Sequence, residues 1–189
     1  MQLIYDNIVA SMVGAAVILV MVFTNHQTQI AASEAAGFYI MQQQLIDFTS
    51  TLQRDMQNVS SVVDTEMADS TFSFFAQVSP SDTTKMQVIY LRKTVGSRYV
   101  DGANVPLYQI ERYVNGAIAG GGIASVTEWS IEVLNGEGNS IIDPANARQV
   151  AINFRVVPPI DVEVIEGITV GDTRWETTFH PTMLRDSSL

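Results

Sequence analysis

Asp6 is the one carboxylate among the first 33 residues, and it stands at the edge of an almost wholly apolar run. A carboxylate in such surroundings is costly unless it is paired. Its simplest partner is the partial positive charge at the amino end of its own helix. Two acidic loops offer a second kind of chemistry. Asp101-Gly102-Ala103-Asn104 and Asn135-Gly136-Glu137-Gly138-Asn139, followed by Asp143, present oxygen ligands of the kind calcium uses. No metal is expected: Asp101, Glu137 and Asp143 are the nearest to a ligand set, and turn chemistry explains them equally well.

Catalytic material is sparse. His26 and His180 are more than 150 residues apart, and neither sits in HExxH. No GxSxG, no GxxxxGK[ST] and no complete GxGxxG occurs. The glycine-rich pieces lack the helix-opening context that phosphate binding needs. The expectation is a protein that is not an enzyme and needs no cofactor.

The 189 residues hold 10 Lys plus Arg against 20 Asp plus Glu, a net charge of −10. Nucleic acid and anionic headgroups both select for Lys/Arg clusters, so no nucleic-acid partner is expected. There is no cysteine, hence no disulfide and no thiol chemistry.

The elements that must carry these residues begin with a long helix. Residues 8–23 are 16 almost uniformly apolar positions. As a helix they cover roughly 24 Å, or about 31 Å counted from Leu3, close to the ~30 Å hydrocarbon thickness of a bilayer. No proline precedes Pro80, and the only glycines before Gly96 are Gly14 and Gly37. The sequence therefore predicts one helix of about sixty residues, roughly 90 Å long. Its first part, 1–25, is greasy on every side and needs lipid or other helices around it. Its continuation, 26–66, is greasy on one side only. Phe38, Met41, Leu45, Phe48, Leu52, Met56, Val59 and Val63 recur at spacings of three and four, with Gln42, Asp47, Arg54 and Asp55 among the polar residues between them. That stripe needs a partner surface; a coiled coil is the alternative, disfavoured by the few charges at flanking positions. Gly14 permits close helix–helix contact, and Gly14 and Gly37 also permit bending.

The first Lys or Arg is Arg54, so the basic flank that usually orients a spanning helix is missing. One explanation is a basic leader removed from the amino end; the other is that Met1 is the initiator.

Residues 71–189 read as a sheet domain. Runs near 71–78, 86–92, 98–100, 107–114, 126–134, 150–156, 162–165 and 175–179 are β-branched, aromatic or alternating. Asp101-Gly102 and Asn115-Gly116 mark tight turns, and Gly120-Gly121-Gly122 reads as a flexible loop. Six to eight strands with short connections predict a mainly antiparallel sheet. The fold class is α+β, the amphipathic half of the helix lying across that sheet.

Arranged this way, the chain resembles the type IV pilin-like superfamily over nearly its whole length. Val88-Ile89-Tyr90-Leu91-Arg92, then Pro106-Leu107-Tyr108-Gln109-Ile110-Glu111-Arg112-Tyr113-Val114-Asn115-Gly116, is similar to the "xIxYYL … LYRRxxxG" pattern of minor pilins and J-type pseudopilins of type II secretion. Residues 123–138 resemble the strand and turn that follow it, and residues 148–154 and 179–185 the final strands. The family's mature chain usually starts with Phe and has Glu at the fifth position; here Tyr5 is fifth and Asp6 follows.

The resemblance implies a structural subunit of an extracellular pilus-like or pseudopilus filament. Its partners would be copies of itself and related pilin subunits, with the bacterial inner membrane as the station before assembly. It would end on the cell surface or in a periplasm-spanning pseudopilus. It implies that Met1, Asp6, Ile8, Val13, Gly14, Val17 and Val20 serve assembly, Asp6 by pairing with a neighbour's free amino terminus. Leader removal and N-methylation would belong to the same pathway. The alternative function is a membrane-tethered binding module, or a tip or adhesin component outside the filament body.

Overall fold

The computed structural model of the chain describes residues 2–64, 70–77, 84–100, 103–158 and 173–185, with side chains from Val9 onward except those of Val100 and Arg185. The chain opens with helix α1 (Gln2–Gln57). Among the described residues seven strands follow: β1 (Val59–Val62), β2 (Thr71–Gln77), β3 (Lys85–Val100), β4 (Ala103–Val114), β5 (Ala117–Leu134), β6 (Gln149–Val156) and β7 (Thr173–Phe179). A 3-10 turn, Pro144–Asn146, lies between β5 and β6, and a short helix α2 (Thr182–Arg185) follows β7. The strands form one antiparallel sheet in sequence order, β1 to β7. α2 packs against β1, at the far edge from the strand it follows, so the sheet is strongly curled. The layout is the α+β arrangement of a long helix packed on an antiparallel sheet.

At 56 residues α1 is roughly 84 Å long. It ends at Gln57, short of the expected 66. Asn58 donates its backbone N–H to the Asp55 carbonyl at 3.1 Å, closing the last turn. Val59-Ser60-Ser61-Val62 then extends as β1, pairing Ser61 with Phe75 and Val62 with Phe74. β-branched valines and serines are poor helix residues, and a partner strand outweighs their place in the three-four pattern. Val63 follows β1 and is 44% exposed.

The core fills the space between α1 and the inner face of the sheet. Met41, Phe48, Leu52 and Met56 come from the helix, with Phe74, Tyr90, Trp129, Ile152 and Phe154 among the strand contributors. Phe48 is wholly buried and meets Phe154 edge-on at 5.2 Å and Tyr90 edge-on at 6.2 Å between ring centroids. Such edge-to-face pairs add to the gain from burial and fix the helix in one rotational setting. Leu184 of α2 and Ala147 beside the 3-10 turn complete the cluster.

Two strands differ from the expectation. β3 runs unbroken through residues 93–97, bending at a bulge between Thr94 and Gly96. Gly120-Gly121-Gly122 is part of β5 instead of a loop. There the β4–β5 register jumps from Ile110↔Ile123 to Arg112↔Ala119, so β5 arches away from its neighbour. Gly121 has a φ of +88°, and a Cβ on it would stand 2.7 Å from Cγ2 of Thr51 on α1. A Cβ on Gly122 would stand 2.5 Å from the Ile110 carbonyl oxygen. Gly121 and Gly122 are glycine because the arch presses against the helix and β4 there. The expected strand at 162–165 and the Asp101-Gly102 turn lie outside the described residues.

Candidate assembly surface and the joint behind it

The site is built from the inside out. Asp55 is two residues from the end of α1 and is 5% exposed. It lies three residues beyond Leu52 and one before Met56, which sets it on the buried side of the cylinder. Tyr90 of β3 and Arg112 of β4 are direct cross-strand partners, so their side chains share the inner face of the sheet. Both reach Asp55. Tyr90 donates its hydroxyl to Oδ2 at 2.7 Å. Arg112 donates Nε to the same oxygen at 2.6 Å and Nη2 to Oδ1 at 3.0 Å, a two-pronged clasp.

The charge is well compensated. Burial, reinforced by the Asp55 carboxylate, pushes the Tyr90 hydroxyl well above its ordinary value of 10.0. It therefore stays a neutral donor. Burial alone would lower the Arg112 guanidinium, but its bond to Asp55 outweighs that and the net shift is upward. On the sheet's other face Lys93 pairs with Glu111 at 2.7 Å, and Tyr113 donates its hydroxyl to Glu111 at 2.5 Å. The bond from Lys93, with that from Tyr113, holds the Glu111 carboxyl below the usual carboxylate range.

Below this joint the helix leaves its domain. Every residue from 9 to 33 is exposed. Val13, Val17 and Val20 are 58%, 48% and 62% exposed, so the chain itself offers them no cover. Gly14 has nothing within 4 Å of where a Cβ would stand, room a neighbouring backbone could use. Asp6 and Ile8 belong to α1, their side chains outside the described portion, and Met1 lies outside the described residues. α1 is the one helix, among the described residues, long and apolar enough to cross a membrane, a property compatible with anchoring.

Of the stripe residues, Met41, Phe48, Leu52, Met56 and Val59 are buried and Leu45 is partly buried against the core, though Val59 enters from β1. Phe38 stays 38% exposed, although Gly37 beside it is buried. The acidic-loop residues are used locally. Asp143 caps the 3-10 turn through Ala145 N–H at 3.0 Å and accepts from the Asn146 amide at 3.2 Å. Glu137 accepts from the Asn139 side chain at 3.4 Å. Asp101 lies outside the described residues, and no cluster of three or more His, Cys, Asp or Glu able to hold a metal occurs among the described ones.

Asp55 is the residue that sequence reading misplaced, as one of the polar positions between stripe residues. Its helical angle, shared with Leu52 and Met56, is the signal that could have found it. Comparison with known proteins returns no match to a family model, a curated protein or a solved structure.

The joint makes two predictions. Asp55→Ala leaves Arg112 and Tyr90 facing each other without their anion and should cost about 3–5 kcal/mol of unfolding free energy. Denaturant titration of the full chain in detergent measures it, and Asp55→Ala combined with Arg112→Met should cost less than the sum of the two single changes. The second concerns alkali. A hydroxyl whose folded value is raised contributes stability that is fully present below the unfolded value and lost as pH climbs above it. Stability should therefore decline above pH ~10 more steeply in the wild type than in Tyr90→Phe, read from melting temperature against pH.

Proposed function

We propose that the chain is a structural subunit of a type IV pilus-like or pseudopilus filament, held in the inner membrane before assembly. The carrying observation is the contrast along one helix. One face of residues 41–57 finds cover in its own domain, whereas residues 9–23 are almost wholly apolar and find none.

Magnitude makes that contrast decisive. Ten large apolar side chains between Val9 and Phe23 stand 47–71% exposed. Covering such a side chain fully is worth about 1.5–3 kcal/mol. Half of that, summed over the ten, is on the order of 10 kcal/mol, comparable with the folding stability of a whole domain. A surface of that size does not stay in water. Lipid covers it in the monomer, and sister helices cover it in the filament. Because the helix is greasy on every side, exchange from one environment to the other needs no refolding, only a change of neighbours.

The sheet domain fits the outer layer of such a polymer. It is acidic, compact and tied to the helix by Asp55. The pilin-like resemblance of residues 88–92 and 106–116 supports the reading from another direction, since Tyr90 and Arg112 of those segments make the joint. Asp6 then has a role that suits its setting: an ion pair with a neighbour's amino terminus inside an apolar core.

Electron microscopy of sheared surface material from cells expressing the chain tests the proposal. Regular filaments containing it are expected, and Asp6→Ala should abolish incorporation or reduce it strongly. A chain found solely as a membrane-bound monomer would instead identify a tethered binding module.

A further inference from the structure

The sheet domain holds a cleft that neither the Asp55 joint nor the bare helix uses. Its walls, among the described residues, are Gly136, Arg148, Gln149 and His180, around a volume of about 260 Å³. Three segments meet there: the turn after β5, the start of β6 and the residue after β7. The 3-10 turn just before Arg148 and α2 just after His180 both pack on β1, which follows directly from the end of α1. The cleft therefore lies at the end of the molecule opposite the apolar run of residues 9–23.

The walls are fixed by local bonds. Asn135 accepts at its side-chain oxygen from the N–H groups of Glu137 and Asn139, at 2.9 and 3.0 Å, which locks the turn. Arg148 donates its backbone N–H to the Leu134 carbonyl at 2.9 Å. Gln149 donates its side-chain amide to the Gly136 carbonyl at 3.4 Å. A Cβ at Gly136 would stand 4.0 Å from Cγ of Arg148, so the turn lies against the arginine stem. The guanidinium itself is held through Nη1, which donates to the Ala145 carbonyl at 3.2 Å and the Ala147 carbonyl at 2.6 Å.

What is left over is a set of donors without an acid. Nε and Nη2 of Arg148 make no hydrogen bond among the described residues, and no carboxylate there stands within ion-pair distance of it. Glu137 is on the adjoining turn but accepts from Asn139, and Asp143 is engaged in the 3-10 turn. The Gln149 amide has a second N–H, and an imidazole can donate through either ring nitrogen. In a chain with 20 acids against 10 bases, a half-buried guanidinium that faces none of them is open to an acid from outside.

We propose that this cleft binds the carboxylate of a small organic acid. The Nε and Nη2 hydrogens lie along one edge of the guanidinium, a fork that matches the two oxygens of a carboxylate. Arg148 is the one permanently charged residue on the described walls, so the site suits a monoanion better than a doubly charged phosphate. Its volume is just under the roughly 300–1,000 Å³ of drug-sized sites, which gives room for an acidic amino-acid side chain or a single uronic acid ring. Binding there needs neither a filament nor a membrane, so it stands apart from the filament reading.

The chain's two histidines make the test direct, because His26 lies on the bare helix and serves as the control. Ring proton–carbon spectra of the full chain in detergent are followed at fixed pH and ionic strength. The probes are propionate (the acidic end of a glutamate side chain), glucuronate, their neutral counterparts propionamide and glucose, and inorganic phosphate. One or both acids should move the His180 signals saturably, with a Kd on the order of millimolar, while His26 stays still and the neutral compounds do nothing. The tighter of the two acids separates a side-chain ligand from a sugar ligand. Arg148→Gln should weaken binding by about tenfold or more. Gln149→Glu is nearly isosteric and sets a like charge beside the fork, so it should abolish the shift even if loss of Arg148 unsettles the 3-10 turn. A still His180 signal, equal shifts from the neutral compounds, tighter binding of phosphate, or unchanged affinity in the variants overturns the site.

Discussion

The carboxylate of Asp55 is the interaction through which the two halves of this molecule communicate. A long helix on a sheet could slide or roll if only apolar contacts held it, because such contacts are non-directional. Asp55 removes that freedom. Its three charge-assisted hydrogen bonds come from a cross-strand pair on β3 and β4, at 2.6–3.0 Å. A buried charge with these partners is stable only in this register, so the helix has one height and one rotation relative to the sheet. Phe48, wedged among Tyr90, Trp129 and Phe154, repeats the constraint two turns earlier.

That rigidity has a mechanical consequence. The lower helix is a lever whose orientation is set by the domain, and the domain's orientation is set by whatever holds the lever. Force applied at the sheet passes into α1 through Asp55, Phe48 and the glycine arch that presses on Thr51. A molecule of this design can be pulled or tilted as one body.

Much of this layout was legible in the residues. The switch at about residue 25 from all-round to one-sided apolar patterning foretold a bare and a covered part of one helix, though the cover itself begins only at Gly37 and Met41. The alternating runs in 71–179 foretold an antiparallel sheet. Other features were hidden for physical reasons. Val59 and Val63 keep a three-four spacing that suits a helix as well as a strand, and only the pairing of β1 with β2 settles which. Gly120-Gly121-Gly122 looks like a flexible loop because the reason for glycine at 121 and 122 lies in Thr51 and Ile110, distant in sequence. Asp55 reads as a surface residue because no local rule announces a buried charge; its partners are 35 and 57 positions away.

Residues 9–33 of α1 depend on surroundings outside their own chain, whereas the covered face of residues 41–57 does not. Amide hydrogen exchange along α1 of the full chain, in lipid or detergent and again after dilution to remove it, measures this directly. Protection of 41–57 should persist in both conditions, and that of 9–33 should survive only where lipid, detergent or other copies surround it. Equal protection of both segments in a detergent-free monomer would contradict the account.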